Sequence, residues 1–489
     1  MTDRVTLGKL STGVPGLDIL LGGGLSEFSF NLISGAPGSG KTTLAHQIMF
    51  ALAGPERKAI FFTVLGEPPI KMLRYQQQHS FFDVSKVGDT VRYINLADDL
   101  RKGDFSVVLD RISREAEEFS PGLVFVDSFR SVVQTAKPGN EGVADLQHFV
   151  QELGIRMASW QATTFLIGEY AQPESDANPI MTVADGLISL SQNVDKNSVT
   201  RKLRIVKMRG QAHMAGFHTF RIGNEGIHVY PRLLPPLAAD RHPGAFVDTD
   251  LRRISLGVPK LDDLLSGGLP SGHSVLVVGP AGAGKSVLAT AFLAEGSARG
   301  EKGVLAIFEK GTSRLRNPVL AELIQGGQVA VVESRSLDLS IEELVDNLVT
   351  TVQRSGAKRV VIDSLSELEL YLAPAFQHDF RASVFKMLSA LAKTGATVVV
   401  TVGLEDRFVE MRFSHSDISF LVDAVIAMRY TETKGRLQKL LTVVKVRGSR
   451  HSTDLRPYFI TDQGIEIGEK MDEYEGLLSG HPSNVKTRE

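Results

Sequence analysis

Two short runs in this 489-residue chain have the residue types to hold a polyphosphate. Gly35-Ala-Pro-Gly38-Ser39-Gly40-Lys41-Thr42 and Gly279-Pro-Ala-Gly282-Ala283-Gly284-Lys285-Ser286 both read GxxxxGK[ST] in full. Glycines let the backbone turn until its N–H groups wrap the phosphates, and the dipole of a following helix favours the anion. Lys41 and Lys285 would reach the β- and γ-phosphate oxygens, and the hydroxyls of Thr42 and Ser286 would ligate Mg²⁺. Thr43 and Val287 follow directly and belong to the same cradles. Such a site needs an acid at the end of an apolar strand. Leu123-Val-Phe-Val-Asp127 and Val360-Val-Ile-Asp363 supply one each, 86 and 78 residues beyond the two lysines. ATP and Mg²⁺ are the implied ligands.

These residues need strands to carry them and helices to open behind them. Each glycine-rich run follows a β-rich apolar run and precedes a helical segment, TLAHQIMFALA or VLATAFLAEGSA. Further apolar runs predict strands over Phe28–Ser34, Ala59–Val64, Leu123–Asp127, Thr163–Gly168 and Lys202–Val206. Ser274–Val278, Gly303–Phe308, Arg359–Asp363, Thr397–Val402 and Lys439–Val444 mirror them. Apolar strands alternating with amphipathic segments imply an α/β fold whose mostly parallel sheets are flanked by helices.

The mirroring is a tandem duplication. Ser11-Thr-Gly-Val-Pro-Gly-Leu-Asp18 with Gly22-Gly-Gly-Leu25 recurs as Ser255-Leu-Gly-Val-Pro-Lys-Leu-Asp262 with Ser266-Gly-Gly-Leu269. Lys41 recurs as Lys285 at the same offset of 244, and Lys207-Met-Arg-Gly as Lys445-Val-Arg-Gly at 238. Pro231, Pro235, Pro236 and Pro243 mark an extended linker, so the expected domains are 1–246 and 247–489. The polar residues from Gly480 to Glu489 read as frayed.

Composition narrows the class. Against 56 acids stand 54 Lys and Arg, a net charge of −2, and no basic module is recognisable, which argues against nucleic acid as a partner. The absence of cysteine excludes disulfides, thiolate zinc sites, Fe–S clusters and a Cys nucleophile. No apolar run approaches the ~20 residues of a membrane helix, and the N-terminus lacks the apolar stretch of a secretory signal. No membrane association and a cytoplasmic location are expected.

In the STGVPGLD and GGGL segments, the phosphate loops, the VDS and IDS strand ends and the KMRG and KVRG segments, the chain resembles the KaiC family, the duplicated RecA-like ATPase of the cyanobacterial clock. The resemblance covers essentially the whole chain. It implies tandem RecA-like P-loop domains, CI and CII, assembled as a double-ring homohexamer with ATP between subunits. ATP hydrolysis would belong to CI, and autophosphorylation and dephosphorylation to CII. It further implies that Lys207 and Arg209 touch the γ-phosphate in the adjacent subunit's CI site, and Lys445 and Arg447 that in CII. Cations supplied in trans stabilise transition-state charge and tie activity to assembly. A His stands four residues after each Arg, at His213 and His451.

The chain departs from that family at its acids. The family carries two adjacent glutamates after the strand that follows the P-loop helix, one of them a general base. Here the CII copy reads Glu309-Lys310, which keeps Glu309 as base and gives it a cation that weakens its basicity. The CI copy reads Leu65-Gly66-Glu67, leaving Glu67 as the candidate, one residue displaced. The phosphoacceptor pair also changes. Ser419 keeps the first hydroxyl and Phe420 removes the second, so a single-site switch at Ser419 is expected, with Ser414 and Ser416 nearby. After Glu469–Gly480 only nine residues remain, too few for the tail that binds KaiA, while a KaiB-like partner on the N-terminal ring is compatible with the resemblance.

Other apparent sites carry less. His213 and His218 lack a carboxylate to complete a metal pattern, and His378 and His415 have no GxSxG serine beside them. Two alternatives to an autokinase share these motifs. One is a RecA-like DNA-dependent ATPase or recombination mediator; the other is a scaffold assembled by nucleotide with little turnover.

Overall fold

The computed structural model describes residues 8–63, 69–100, 105–127, 140–169, 181, 183–195, 198–232, 252–308, 317–333, 339–377, 379–404, 418–433, 435–470, 474–475 and 483–484. The chain divides into Met1–Arg232 and Leu233–Glu489. Residues 233–251, which hold most of the proline-rich run and the division placed at 246, lie outside the described residues.

Each unit is built on a nine-stranded sheet. In the N-terminal unit the strands are β1 (Phe30–Gly35), β2 (Ala59–Thr63), β3 (Val91–Asn95), β4 (Leu123–Asp127), β5 (Thr163–Gly168), β6 (Gly186–Asp195), β7 (Ser198–Met208), β8 (His218–Gly223) and β9 (Gly226–Tyr230). Their order is β9-β8-β7-β6-β1-β5-β4-β2-β3. In the C-terminal unit β10 (Ser274–Gly279), β11 (Gly303–Ile307), β12 (Val329–Glu333), β13 (Arg359–Asp363), β14 (Thr397–Gly403), β15 (Ala424–Thr433), β16 (Arg436–Val446), β17 (Arg456–Thr461) and β18 (Gly464–Ile467) repeat that order strand for strand. Six strands of each sheet run parallel; β7 to β9 and β16 to β18 add an antiparallel flank. The strands expected at Lys202–Val206 and Lys439–Val444 belong to that flank, so each sheet is mixed rather than uniformly parallel. Two-residue strands pair beside both sheets.

Alternation in the central strands decides which residues face which helices. In β1, Ile33 packs under α1 (Lys41–Leu52), which contributes Leu44, Ala45, Ile48 and Met49. Leu32 points the other way, to α2 (Phe105–Phe119) and α3 (Asn140–Ser159). The buried residues of α2, Val108, Leu109, Ile112, Ala116 and Phe119, recur at the three-to-four spacing of one helical face. The C-terminal unit repeats the layers. There Val275 and Val277 lie with α4 (Lys285–Ala298), and Leu276 and Val278 face α5 (Ile341–Ser355) and α6 (Phe380–Ala392). Ser340 caps α5 by accepting from the Glu343 N–H at 3.1 Å, and Gly356 closes it at φ 67°.

One irregularity recurs at matched positions. In β6–β7 the register jumps between Leu187–Lys207 and Ile188–Ile205, and in β15–β16 between Val425–Lys445 and Ile426–Val443. Val206 and Val444 are the extra residues of these bulges, each immediately before the lysine of a Lys-x-Arg segment.

Candidate functional site

Both glycine-rich runs lie where a phosphate loop must, between the end of a central strand and the start of a helix. β1 leads into α1 through Gly35–Gly40, and β10 into α4 through Gly279–Gly284. Gly40 (φ 100°) and Gly284 (φ 98°) hold the left-handed conformation that turns the chain into each helix, where a side chain would strain it. Lys41 Nζ donates to the Ala36 carbonyl at 2.9 Å, and Lys285 Nζ to those of Gly279 and Pro280 at 2.8 Å each. Each ammonium thus lies inside its own loop. Ser39 Oγ is buried in the first loop with no hydrogen-bond partner among the described residues; Ala283 takes its place in the second. An orphaned hydroxyl, an inward lysine and open backbone turns fit a polyphosphate.

The strand-end acids are where the spacing placed them. Thr42 Oγ1 donates to Asp127 Oδ2 at 2.7 Å, bringing the expected hydroxyl and carboxylate ligands of a cation together. Burial pushes the Asp127 carboxyl up to about 6, against the Thr42 hydrogen bond and the Lys41 charge, with Glu169 adding to the rise. Burial lowers the Lys41 ammonium, while Glu169 and Asp127 favour its charged form. His46, one turn along α1 from Thr42, is fully buried and stacked on Phe61; its Nδ1–H donates to the Thr42 carbonyl at 2.7 Å. Burial drops that imidazole to about 4, so it is neutral at physiological pH.

In the C-terminal unit the buried Asp363 accepts from the Thr401 hydroxyl of β14. Thr290 occupies the place of His46 and donates to the Ser286 carbonyl at 2.9 Å. Lys285, Ser286 and Asp363 line a cleft of about 800 Å³ that extends past Glu367 and Glu369 to Ile418, the neighbour of Ser419. Among the described residues no group of three His, Asp or Glu side chains could hold a metal alone.

The Lys-x-Arg segments lie at the other end of the strands. The Arg209 N–H donates to the Asp185 carbonyl, and the Asp185 N–H to that of Phe30, the first residue of β1. Arg447, Asp423 and Ser274 repeat this at the start of β10. At ~3.3 Å per residue, the five steps from Ser274 to Gly279 put about 17 Å of strand between Arg447 and its own phosphate loop. Lys445 Nζ donates to the Ser419 carbonyl at 2.6 Å, Arg447 to that of Phe420, and Arg447 lies 3.8 Å from Asp423. In the N-terminal unit Lys207 Nζ donates to the Met181 carbonyl at 3.2 Å and Arg209 pairs with Asp185 at 3.2 Å. Met181 thus stands where the C-terminal unit has Ser419. Burial, with the neighbouring arginine, lowers both lysines.

The structure therefore brings together Lys41, Thr42 and Asp127 in one unit, and Lys285, Ser286 and Asp363 in the other. It gathers Ser419 with Lys445 and Arg447. Glu67, Glu309, Lys310, Ser414 and Ser416 lie outside the described residues. Reasoning from sequence missed Thr401, His46 and Glu169. A threonine interrupting the apolar run Val398–Val402 is the available signal for the first; neither His46 nor Glu169 belongs to a motif.

Comparison with known proteins points one way. The model of the family described as "ATPase: KaiC" matches residues 10–233 and again 254–472. The chain is 26% identical to the circadian clock oscillator protein KaiC of Parathermosynechococcus lividus, over 98% of this chain and 89% of that one. To its namesake in Picosynechococcus sp. it is 27% identical, over 98% and 93%. To that of Rippkaea orientalis it is 26% identical, over 100% and 94%. No helix among the described residues is long and apolar enough to cross a membrane.

Proposed function

The chain belongs to the KaiC family of ATPases, and from that premise we propose that it binds Mg·ATP at both phosphate loops and assembles as a ring of six. In this reading, domains 1–246 and 247–489 form stacked rings, the first hydrolyses ATP, and the second transfers the γ-phosphoryl group to Ser419. The output is a signalling or timing state, as the names of the relatives indicate for those proteins. A KaiB-like partner on the N-terminal ring is compatible with it.

One observation carries the proposal. In both units the Lys-x-Arg cations sit at the strand starts and the phosphate loop at the strand ends of the same sheet. A chain cannot fold Arg447 onto its own loop, whereas a head-to-tail neighbour can present it. Ser419 is tethered to the same edge through Lys445. Transfer between subunits follows: Ser419 Oγ bonds to the γ-phosphorus while the bond to the β,γ-bridging oxygen breaks. The serine proton passes to a carboxylate, for which Glu309 is the candidate, and ADP leaves. Thr42 with Asp127, and Ser286 with Asp363, would hold Mg²⁺, which when bound screens the phosphate charge. Lys41 and Lys285 orient the phosphates.

A mixing experiment tests this. Lys285→Ala chains keep the acceptor but lose the ATP clamp; Ser419→Ala chains do the reverse. Phosphopeptide mass spectrometry of the mixture in Mg·ATP should find phosphate on Ser419 of the Lys285→Ala chain. A mixture that stays unmodified while the parent protein phosphorylates itself would place the transfer within one chain. An unmodified parent would remove the kinase reading. Single-stranded DNA should leave the ATPase rate unchanged; a rise would favour a DNA motor.

A further inference from the structure

The two units wire their strand ends differently beside the phosphate loop, and the N-terminal one gains a carboxylate. β5 lies between the loop strand β1 and the Asp127 strand β4. Its Ile167 pairs with Asp127 and its Gly168 with Ser34, so Glu169 emerges one step further on, level with Gly35. Ligands of open α/β sheets sit just beyond these carboxyl ends, in the crevice the loop borders. Glu169 is half-buried there. Its charge reaches the Lys41 ammonium and the Asp127 carboxylate from that position.

The matching strand of the C-terminal unit, β14, pairs Val402 with Val278 and Gly403 with Gly279. Gly403 is therefore the counterpart of Glu169 and offers no side chain. Two steps back, Thr401 is the counterpart of Ile167 and gives its hydroxyl to Asp363. The N-terminal unit is also the one whose sequence puts Leu65 and Gly66 where a pair of acids is expected.

We infer that Glu169 is a catalytic carboxylate of the N-terminal site, accepting a hydrogen bond from the water that attacks ATP. This rests on the reading that the N-terminal loop binds and hydrolyses Mg·ATP. The water oxygen bonds to the γ-phosphorus as the bond to the β,γ-bridging oxygen breaks, the electron pair staying with ADP. The water's proton passes to the Glu169 carboxylate and on to solvent, leaving ADP and inorganic phosphate. A positioned carboxylate of this kind contributes roughly 10²–10⁴-fold to such a step.

The test uses full-length protein carrying Lys285→Ala, so that turnover reports the N-terminal loop. Glu169→Gln should lower kcat for Mg·ATP about 100-fold and leave KM within about threefold, because the amide keeps the shape and loses the proton acceptor. Glu169→Asp should recover part of kcat. Unchanged kcat in Glu169→Gln would overturn the inference, as would a loss confined to KM, which would mark Glu169 as a binding or structural group. Lys41→Ala in the same background separates the two levels. If it leaves the rate where it was, the N-terminal loop does not turn over ATP, and the underlying reading falls together with this inference. If it abolishes the rate while Glu169→Gln does not, only the inference falls.

Discussion

Thr42 gives its hydroxyl to Asp127 in the N-terminal unit, whereas in the C-terminal unit the corresponding Asp363 takes the hydroxyl of Thr401, from the neighbouring strand. The GxxxxGK[ST] pattern, the strand-end acids and the strand order are the same in both. What differs beside them is the residue one strand over, Ile167 against Thr401, and the one two positions further on, Glu169 against Gly403. The phosphate-binding part of the fold is thus duplicated faithfully while its chemical surroundings have diverged. The same holds at the opposite edge, where one lysine holds the carbonyl of Met181 and its twin that of Ser419.

The largest expected effect separates the two lysines. Lys285→Ala should abolish phosphate on Ser419, read by phosphopeptide mass spectrometry. Lys41→Ala should leave that chemistry available and weaken assembly at low ATP, read by light scattering, because nucleotide bound only in the assembled state stabilises it. A Lys41→Ala protein that stays fully assembled at low ATP would contradict this division.

Next come the arginines. Arg209→Ala should cut ATP hydrolysis, and Arg447→Ala phosphorylation of Ser419, each by roughly 10³-fold, the scale of an arginine supplied in trans. Both side chains are more than half exposed and their carboxylate pairs are surface pairs, so stability should move by less than ~1 kcal/mol. Rates that survive both changes would leave the cations with only their grip on the turns.

Thr401→Ile gives the C-terminal unit the residue of the N-terminal one. Asp363, 4% exposed, loses a donor, and urea unfolding should show that unit weakened by about 1–3 kcal/mol. No change would mean that Asp363 is satisfied without Thr401.

The smallest effect vanishes at neutral pH. His46 is held near 4 by burial, below the ordinary imidazole value of 6.5, so the unfolded chain binds the extra proton between those limits. Its contribution to stability is complete above pH 6.5 and is lost as pH falls towards 4. Asp127, raised to about 6, titrates in the opposite sense, so the comparison is between variant and parent. His46→Thr, which installs the residue found at 290, should gain about 2 kcal/mol on its parent between pH 7 and pH 5 in thermal unfolding. Parallel pH curves would show that the imidazole is not what makes this unit acid-sensitive.

Much of this was legible from residue order alone, for physical reasons. Phosphate loops, strand-end acids and the Lys-x-Arg segments are local patterns, and the duplication doubled each of them. The central strands are apolar along their whole length, so they stand out. Edge strands β3 and β12 are only partly buried and carry no such signal. The apolar run places Phe28 in the first strand, yet Phe28 sits at φ 60° and the strand starts at Phe30. The partner of Asp363 and the place of Glu169 depend on register between strands some forty residues apart. No local pattern encodes that.

The extra residue at Val206 and Val444 sets a parity. Side chains of a strand alternate between its two faces, so a single unpaired residue decides on which face everything after it falls. In an unbulged register Val206 would pair with Leu187, and Lys207 and Arg209 would turn to the face of Ile205, as Lys445 and Arg447 would to that of Val443. Both copies keep this phase, so the direction of these cations is written in a count of residues rather than in any contact they make.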